Sequence, residues 1–117
     1  MSQVKNLDQE LNDAILSGDI MGAFEKFYAE NVVMQENSSP ATEGKSANRE
    51  REQQFVGSIA EFHGAGVLAA VASDDVSFSE WWMDVTFQDG NRKKLEQSVV
   101  RRWQDGLVVQ ERFYYGA

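Results

Sequence analysis

The chain has 117 residues, of which 42% are hydrophobic, and its formal net charge is -8 at pH 7. This length suits one domain with a real core, so we expect a single domain over residues 1–117. The acidic balance argues against nucleic acid and anionic membranes as partners, because binding to phosphate requires a basic stripe. There is no cysteine and His63 is the only histidine, which argues against disulfides, thiol chemistry and most metal centres. We expect no metal and no cofactor.

The N-terminal residues do not have the pattern of a targeting signal. Residues 1–16 contain too short an apolar run and too many acidic side chains for a signal peptide. No segment of the sequence reaches the length that a membrane-spanning helix requires. We therefore expect a soluble cytoplasmic protein.

Two apolar stripes with helical spacing occupy the first thirty residues, and they predict a helical hairpin. Gly18 is a typical left-handed helix stop, and Asp19 is a typical N-cap for the helix that follows. The first stripe comprises Val4, Leu7, Leu11, Ala14 and Ile15, and the second comprises Ile20, Ala23, Phe24, Phe27 and Tyr28.

A short strand and a third helix follow. Residues 32–34 read as a strand that ends at Gln35 and Glu36, because the loop at 37–40 contains a proline and turn-forming residues. Ser46, after Gly44, is the predicted N-cap of a helix of about four turns with residues 49–52 exposed to solvent. We expect His63 to close this helix and Gly64 to end it. Residues 67–72 then begin a sheet.

Residues 76–115 alternate and are interrupted twice by Gln-Asp-Gly, at 88–90 and at 104–106. This pattern predicts a three-strand meander with two three-residue loops, in which Phe87 faces Asn91 and Trp103 faces Leu107. A change of phase predicts a β-bulge near Ser79 or Glu80. The predicted buried face comprises Trp81, Met83, Val85, Phe87, Leu95, Val99, Trp103, Leu107, Val109, Phe113 and Tyr115.

The predicted element order is helix, helix, strand, helix and four strands. Helices that precede a mainly antiparallel sheet are typical of a two-layer α+β domain, in which the helices cover one face of a curved sheet. This is the fold class that we expect.

Several short sequences occur in the order and spacing of one known family. They are Gly18-Asp19, residues 28–32 (Tyr-Ala-Glu-Asn-Val), Gly44, residues 103–106 (Trp-Gln-Asp-Gly) and residues 113–115 (Phe-Tyr-Tyr). On these residues the whole chain resembles the SnoaL-like branch of the nuclear transport factor 2-like superfamily. The resemblance implies a cone with a pocket at its open end. It does not select a function, since members include polyketide cyclases, steroid isomerases, dehydratases, epoxide hydrolases and binding proteins.

The catalytic residues of these relatives match the chain only in part. The resemblance places the base of the steroid isomerases at Glu36, but their tyrosine and second acid correspond to Leu11 and Val99. Apolar side chains cannot donate hydrogen bonds to an enolate, which argues against that activity. The epoxide hydrolases use an arginine flanked by acids, whereas Arg101 has no acid beside it in the local sequence.

Glu111 is the leading candidate for chemistry, because the register places it on the buried face near Arg101 and Gln97. A buried carboxyl group has a raised pKa and can act as a general acid or base, but it can equally be half of a structural ion pair. Both interpretations remain open. Glu36 is a second acid/base candidate near the mouth of the pocket, with a merely solvated carboxylate as its alternative.

The other candidates are a histidine and three aromatic residues. We expect His63 to cap the third helix, with a catalytic role as the alternative. Tyr28, Phe113 and Tyr115 are predicted to line the ligand pocket.

The outward-facing side of the sheet carries its own apolar side chains. On it we expect Trp82, Val100, Val108 and Tyr114 to form a patch that supports a homodimer.

These observations predict a protein that binds a small apolar or cyclic molecule. It would act as an isomerase, cyclase or hydrolase through carboxylate acid/base chemistry. The alternative is a non-catalytic binding or association module with a filled cone.

Overall fold

The computed structural model describes residues 3–116, so Met1, Ser2 and Ala117 of the predicted domain lie outside the described residues. Its elements are α1 (Gln3–Leu16), α2 (Ile20–Phe27), β1 (Tyr28–Glu36), β2 (Thr42–Glu43), α3 (Lys45–Ser58), β3 (Ile59–Ala72), β4 (Val76–Phe87), β5 (Arg92–Gln104) and β6 (Leu107–Tyr114). The predicted α+β class and element order are confirmed, with the two-residue β2 as an addition.

The six strands form one curved sheet in the order β2-β1-β6-β5-β4-β3. All neighbours are antiparallel except β1 and β6, which run parallel. The main buried cluster joins the apolar faces of α1 and α2 to β1, β5 and β6, and it includes Leu11, Phe24, Val32 and Trp103. None of the helices within residues 3–116 is long and apolar enough to cross a membrane.

The joint between the first two helices is confirmed. Gly18 has a φ of +95°, a conformation that suits glycine, and the Asp19 side chain accepts a 3.1 Å hydrogen bond from the amide of Gly22. Tyr28, predicted as the last member of the second apolar stripe, is instead the first residue of β1. The strand is therefore longer than residues 32–34, and it places the Tyr28 side chain against the sheet.

The predicted end of the third helix is wrong. The helix begins after Gly44, which is its N-cap in place of Ser46, and it ends at Ser58. Residues 59–63 belong to β3, where Ile59 pairs with Phe87 and Phe62 with Val85. Ladder pairing and β-branched or aromatic side chains favour the strand here. His63 therefore caps no helix; its Nε2 lies 2.7 Å from Oγ1 of Thr86 on β4.

The first hairpin has the predicted three-residue loop, with Phe87 opposite Asn91. The prediction of a three-residue loop in the second hairpin is wrong. Gln104 pairs with Leu107 across a two-residue turn in which Asp105 and Gly106 have φ values of +53° and +80°, as a type I′ turn requires.

This turn changes which residues of β6 face the core. Val108 becomes fully buried opposite Trp103, while Leu107 is exposed, so Val108 is not part of the outer patch. An extra residue at Val109 then restores the predicted inward orientation of Glu111, because Arg102 pairs with Gln110 and Arg101 with Glu111. Tyr115, predicted to be buried, is exposed.

The bulge predicted near Ser79 or Glu80 is also absent, because the pairing of β4 with β5 is continuous from Val76 to Thr86. Ser77 and Ser79 face the interior instead, and hydrogen bonds satisfy their hydroxyl groups. The irregularities lie in β3, where three register shifts insert extra residues opposite β4.

The ring of Trp82 lies over two glycines of β3. A Cβ atom on Gly64 would lie 3.2 Å from Cη2 of Trp82, and one on Gly66 would clash with its Nε1. The indole therefore covers two positions of β3 that have no side chain.

Candidate functional site

A cavity of about 410 Å³ opens between the helices and the inner face of the sheet. Pockets that bind small molecules have about this volume, apolar walls and a few convergent polar groups. The apolar lining consists of Leu11, Ile15, Ile20, Ala23, Phe24, Met34, Phe55, Trp81, Met83, Val99 and Phe113. The polar lining consists of Tyr28, Gln35, Glu36, Asn48, Arg51, Glu52, Gln54, Gln97, Arg101 and Glu111.

An ion pair between Arg101 and Glu111 forms the floor of the cavity. Both side chains are 2% exposed, and Nε of Arg101 lies 2.7 Å from Oε2 of Glu111. The hydroxyl of Tyr28 donates a 2.5 Å hydrogen bond to the same oxygen. The two residues face each other directly across β5 and β6.

Residues of α1 complete the surroundings of the arginine. Nη1 of Arg101 donates to Oδ1 of Asp8 at 2.7 Å and to Oδ1 of Asn12 at 2.6 Å. Ser77 donates to Asp8 at 2.8 Å and accepts from the Trp103 indole at 2.9 Å. Arg101 thus lies between two carboxylates, those of Glu111 and Asp8. The local sequence around Arg101 does not show this arrangement, because Asp8 comes from the first helix.

Burial and charge fix the protonation of this floor. The pKa of Tyr28 is raised well above its ordinary value, first by burial and then by the negative charge of Glu111. Burial by itself lowers the pKa of Arg101, but Tyr28, Glu111 and Asp8 outweigh it, so its pKa is raised overall. Tyr28 therefore remains a hydrogen-bond donor and Arg101 remains a cation across the neutral range.

Some polar atoms of the floor take no part in these hydrogen bonds. Arg101 uses Nε and Nη1 but not Nη2, and Glu111 uses Oε2 twice but not Oε1. Within residues 3–116, every buried side-chain nitrogen or oxygen atom has a hydrogen-bond partner. A polar side-chain atom without such a partner must therefore be accessible from open space. Nη2, Oε1 and the amide of Gln97 are consequently the groups that a ligand at the floor can reach.

Glu52 is the residue that sequence reasoning missed. It was expected to be solvated with its helix neighbours, yet it is only partly exposed and lines the cavity from α3. Burial, followed by the negative charges of Glu111 and Glu36, raises its pKa from 4.5 to about 7. The helical pattern gave no signal for this, because α3 is polar on most of its surface.

The mouth of the cavity carries a second cluster. Glu36 accepts from Nη2 of Arg51 at 2.8 Å and from the hydroxyl of Tyr115 at 2.6 Å. Arg51 also donates to the Thr42 side chain at 2.8 Å. Glu36 is therefore paired rather than merely solvated.

The cavity brings together most of the candidates named from the sequence, namely Tyr28, Glu36, Gln97, Arg101, Glu111 and Phe113. Tyr115 contacts the mouth but does not line the cavity, and His63 lies on β3 away from it. In the part of the chain that the structure describes, no three His, Cys, Asp or Glu side chains gather where they could hold a metal ion.

Comparisons with known proteins agree with this fold. The family model of the SnoaL-like domain matches residues 8–115. A candidate SnoaL-like polyketide cyclase from Mesorhizobium loti, also labelled a carbohydrate phosphatase, is 25% identical; the match covers 97% of this chain and 99% of that one, with a TM-score of 0.85.

Two further structures share the fold at lower identity. A nuclear transport factor 2-like protein of unknown function from Burkholderia pseudomallei is 16% identical over 99% of this chain and 92% of that one, with a TM-score of 0.83. AclR, a candidate hydroxylase from Streptomyces galilaeus, is 16% identical over 96% of this chain and 87% of that one, with a TM-score of 0.78. No functionally curated protein matches the chain. Because the family model spans nearly all of the sequence, the chain belongs to the SnoaL-like domain family.

Proposed function

We propose that the protein binds a small, largely apolar cyclic molecule in this cavity and carries out proton-transfer chemistry on it. The reaction would be an isomerisation, a cyclisation or a hydrolysis that uses pocket carboxyl groups as acid and base. The observation that carries the proposal is an open apolar cavity whose ionisable groups converge on one space.

The composition of the cavity supports this class of ligand. Phe24, Phe55, Trp81 and Phe113 provide aromatic surface that suits a ring system. Among the described lining residues the guanidinium groups are those of Arg51 and Arg101, and both already have carboxylate partners, so neither is an unpaired cation for a phosphate or carboxylate ligand.

The alternative is a non-catalytic ligand-binding or association module. The observation in its favour is the floor itself, because a buried Arg101 held by Asp8, Asn12 and Glu111 is also what a structural network requires. That reading accounts for the floor. It leaves unexplained the carboxyl group of Glu52, which makes no hydrogen bond or ion pair to the described residues.

Native mass spectrometry of freshly purified protein tests whether the cavity holds a ligand. We expect a retained apolar mass that is displaced on adding a neutral aromatic alcohol such as 2-naphthol. The matched variant is Val99→Trp, which adds a large side chain at a lining position and should abolish retention. A bare mass for the wild type, together with no binding of 2-naphthol, would overturn the proposal.

A further inference from the structure

Glu111 and Glu52 both line the cavity, and their carboxyl groups have different surroundings. Glu111 receives two donors on one oxygen, and its partner Arg101 is itself held by two residues of α1. The negative charge of this carboxylate balances the buried positive charge of Arg101, and removing one partner of a buried pair is costly. Glu111 is therefore suited to hold Arg101 and Tyr28 in place.

Glu52 has the opposite surroundings. It lines the same cavity from α3, and no hydrogen bond or ion pair joins its carboxyl group to another described residue. The groups that act on it electrostatically are Glu111 on β6, Glu36 on β1 and Arg51 on its own helix; it acts in turn on Tyr28. Arg51 is already paired with Glu36, so the surroundings of Glu52 are net acidic.

We propose that Glu52 is the catalytic residue that exchanges a proton with the ligand, while Glu111 positions Arg101 and Tyr28 at the floor. The inference rests on the proposed function, which it makes specific to one carboxyl group and to an uncharged, oxygen-containing ligand. An unpartnered carboxyl group that faces an apolar cavity can accept and return a proton without breaking an existing ion pair. Its raised pKa, about 7, is the value that suits a general base at neutral pH.

The proton transfer can be written in full. The carboxylate of Glu52 takes a proton from a carbon next to a ligand carbonyl, and the electron pair of that C–H bond forms an enolate. The enolate oxygen faces Nη2 of Arg101 and the Gln97 amide, which offer hydrogen bonds that no described residue uses. Glu52, now a carboxylic acid, returns the proton to a different ligand atom, so the enzyme ends in its starting state.

A test that needs no natural substrate uses 5-nitrobenzisoxazole, a neutral bicyclic molecule. A base removes its ring C–H proton, the electron pair forms the nitrile, and the N–O bond breaks to release a coloured phenolate. We expect wild-type protein to accelerate this reaction, with a rate that rises with pH through about 7. Glu52→Gln should lower kcat/KM by about 100-fold and remove that pH step. Glu50→Gln makes the same charge change on the exposed side of α3 and should retain both the wild-type kcat/KM and the pH step.

The inference is overturned if Glu52→Gln turns over the probe with the wild-type rate and pH profile. It is overturned independently if the Glu52 side-chain carboxyl, observed by 13C NMR and assigned with Glu52→Gln, titrates below pH 5. Failure of the proposed function looks different: the wild type neither retains a ligand in native mass spectrometry nor binds 2-naphthol or the probe.

Discussion

Asp8 and Arg101 are 93 residues apart in sequence and are joined by a buried ion pair of 2.7 Å. This contact ties the first helix to the fifth strand directly below the cavity. It links stability to the site, because the same guanidinium group also holds Glu111.

Replacing Arg101 with glutamine should destabilise the protein strongly. The change leaves Asp8 and Glu111 buried without their cation, and removing one partner of a buried pair costs about 3 to 5 kcal/mol. Urea denaturation measures the loss in the free energy of unfolding. Arg102→Gln is the control, since the neighbouring side chain is exposed and should lose less than about 0.5 kcal/mol. Equal losses for the two variants would show that the network contributes nothing.

Stability should fall as pH rises between about 4.5 and 7, through Glu52. Its pKa is raised from 4.5 in the unfolded chain to about 7 in the folded protein, so over this range the folded state binds the extra proton. At neutral pH the folded state therefore carries a penalty that Glu52→Gln removes. We expect the variant to be more stable than wild type by about 1 to 3 kcal/mol at pH 8 and nearly equal at pH 4.5.

Denaturation of wild type and Glu52→Gln across this pH range gives the difference in their free energies of unfolding directly, because the two proteins share all other titrating groups. Glu50→Gln, which removes the same charge from the exposed side of α3, is the control for the change in net charge. A pH-independent difference between wild type and Glu52→Gln would contradict the raised pKa of Glu52.

Adding a methyl group at Gly66 should be far more harmful than adding one at Gly57. The Gly66 methyl would clash with the indole of Trp82, so we expect Gly66→Ala to lose about 1 to 3 kcal/mol. Gly57→Ala projects into open space on α3 and should gain up to about 1 kcal/mol. Thermal melts rank the two variants. Similar melting temperatures would contradict the packing of Trp82 on β3.

We propose that the outer face of the sheet forms a homodimer. Val71, Phe78 and Val100 are neighbours in one row across β3, β4 and β5, and Phe78 is 51% exposed. Phe78→Glu should convert a dimer to a monomer in sedimentation velocity at tens of micromolar. Phe62→Glu, which changes an aromatic residue of similar exposure on the other face, should stay dimeric. A monomeric wild type would end this proposal.

The sequence predicted the elements whose signals are local. Gly18 with Asp19 defined the helix joint, and the loop at 88–90 defined the first hairpin. Each depends on residues within a few positions of one another. Glu111 faces inward as predicted only because the two-residue turn and the extra residue at Val109 offset each other.

The remaining features depend on contacts that are distant in sequence. Ser77 faces inward because Asp8 and Trp103 satisfy its hydroxyl group, which no local pattern indicates. Ile59 and Phe62 suit a helix or a strand equally well, and pairing with β4 decides between them. Glu52 looked like an ordinary exposed helix residue, since only the position of α3 over the cavity shows otherwise.

The parallel pairing of β1 with β6 affects how the chain is made. Among the described strands, β1 pairs with the two-residue β2 and with β6, which ends at Tyr114. During synthesis, the edge of residues 28–36 therefore stays unpaired until β6 has left the ribosome. Completion of the sheet consequently depends on its last strand, and a chain released before residue 107 would leave β1 without its main partner.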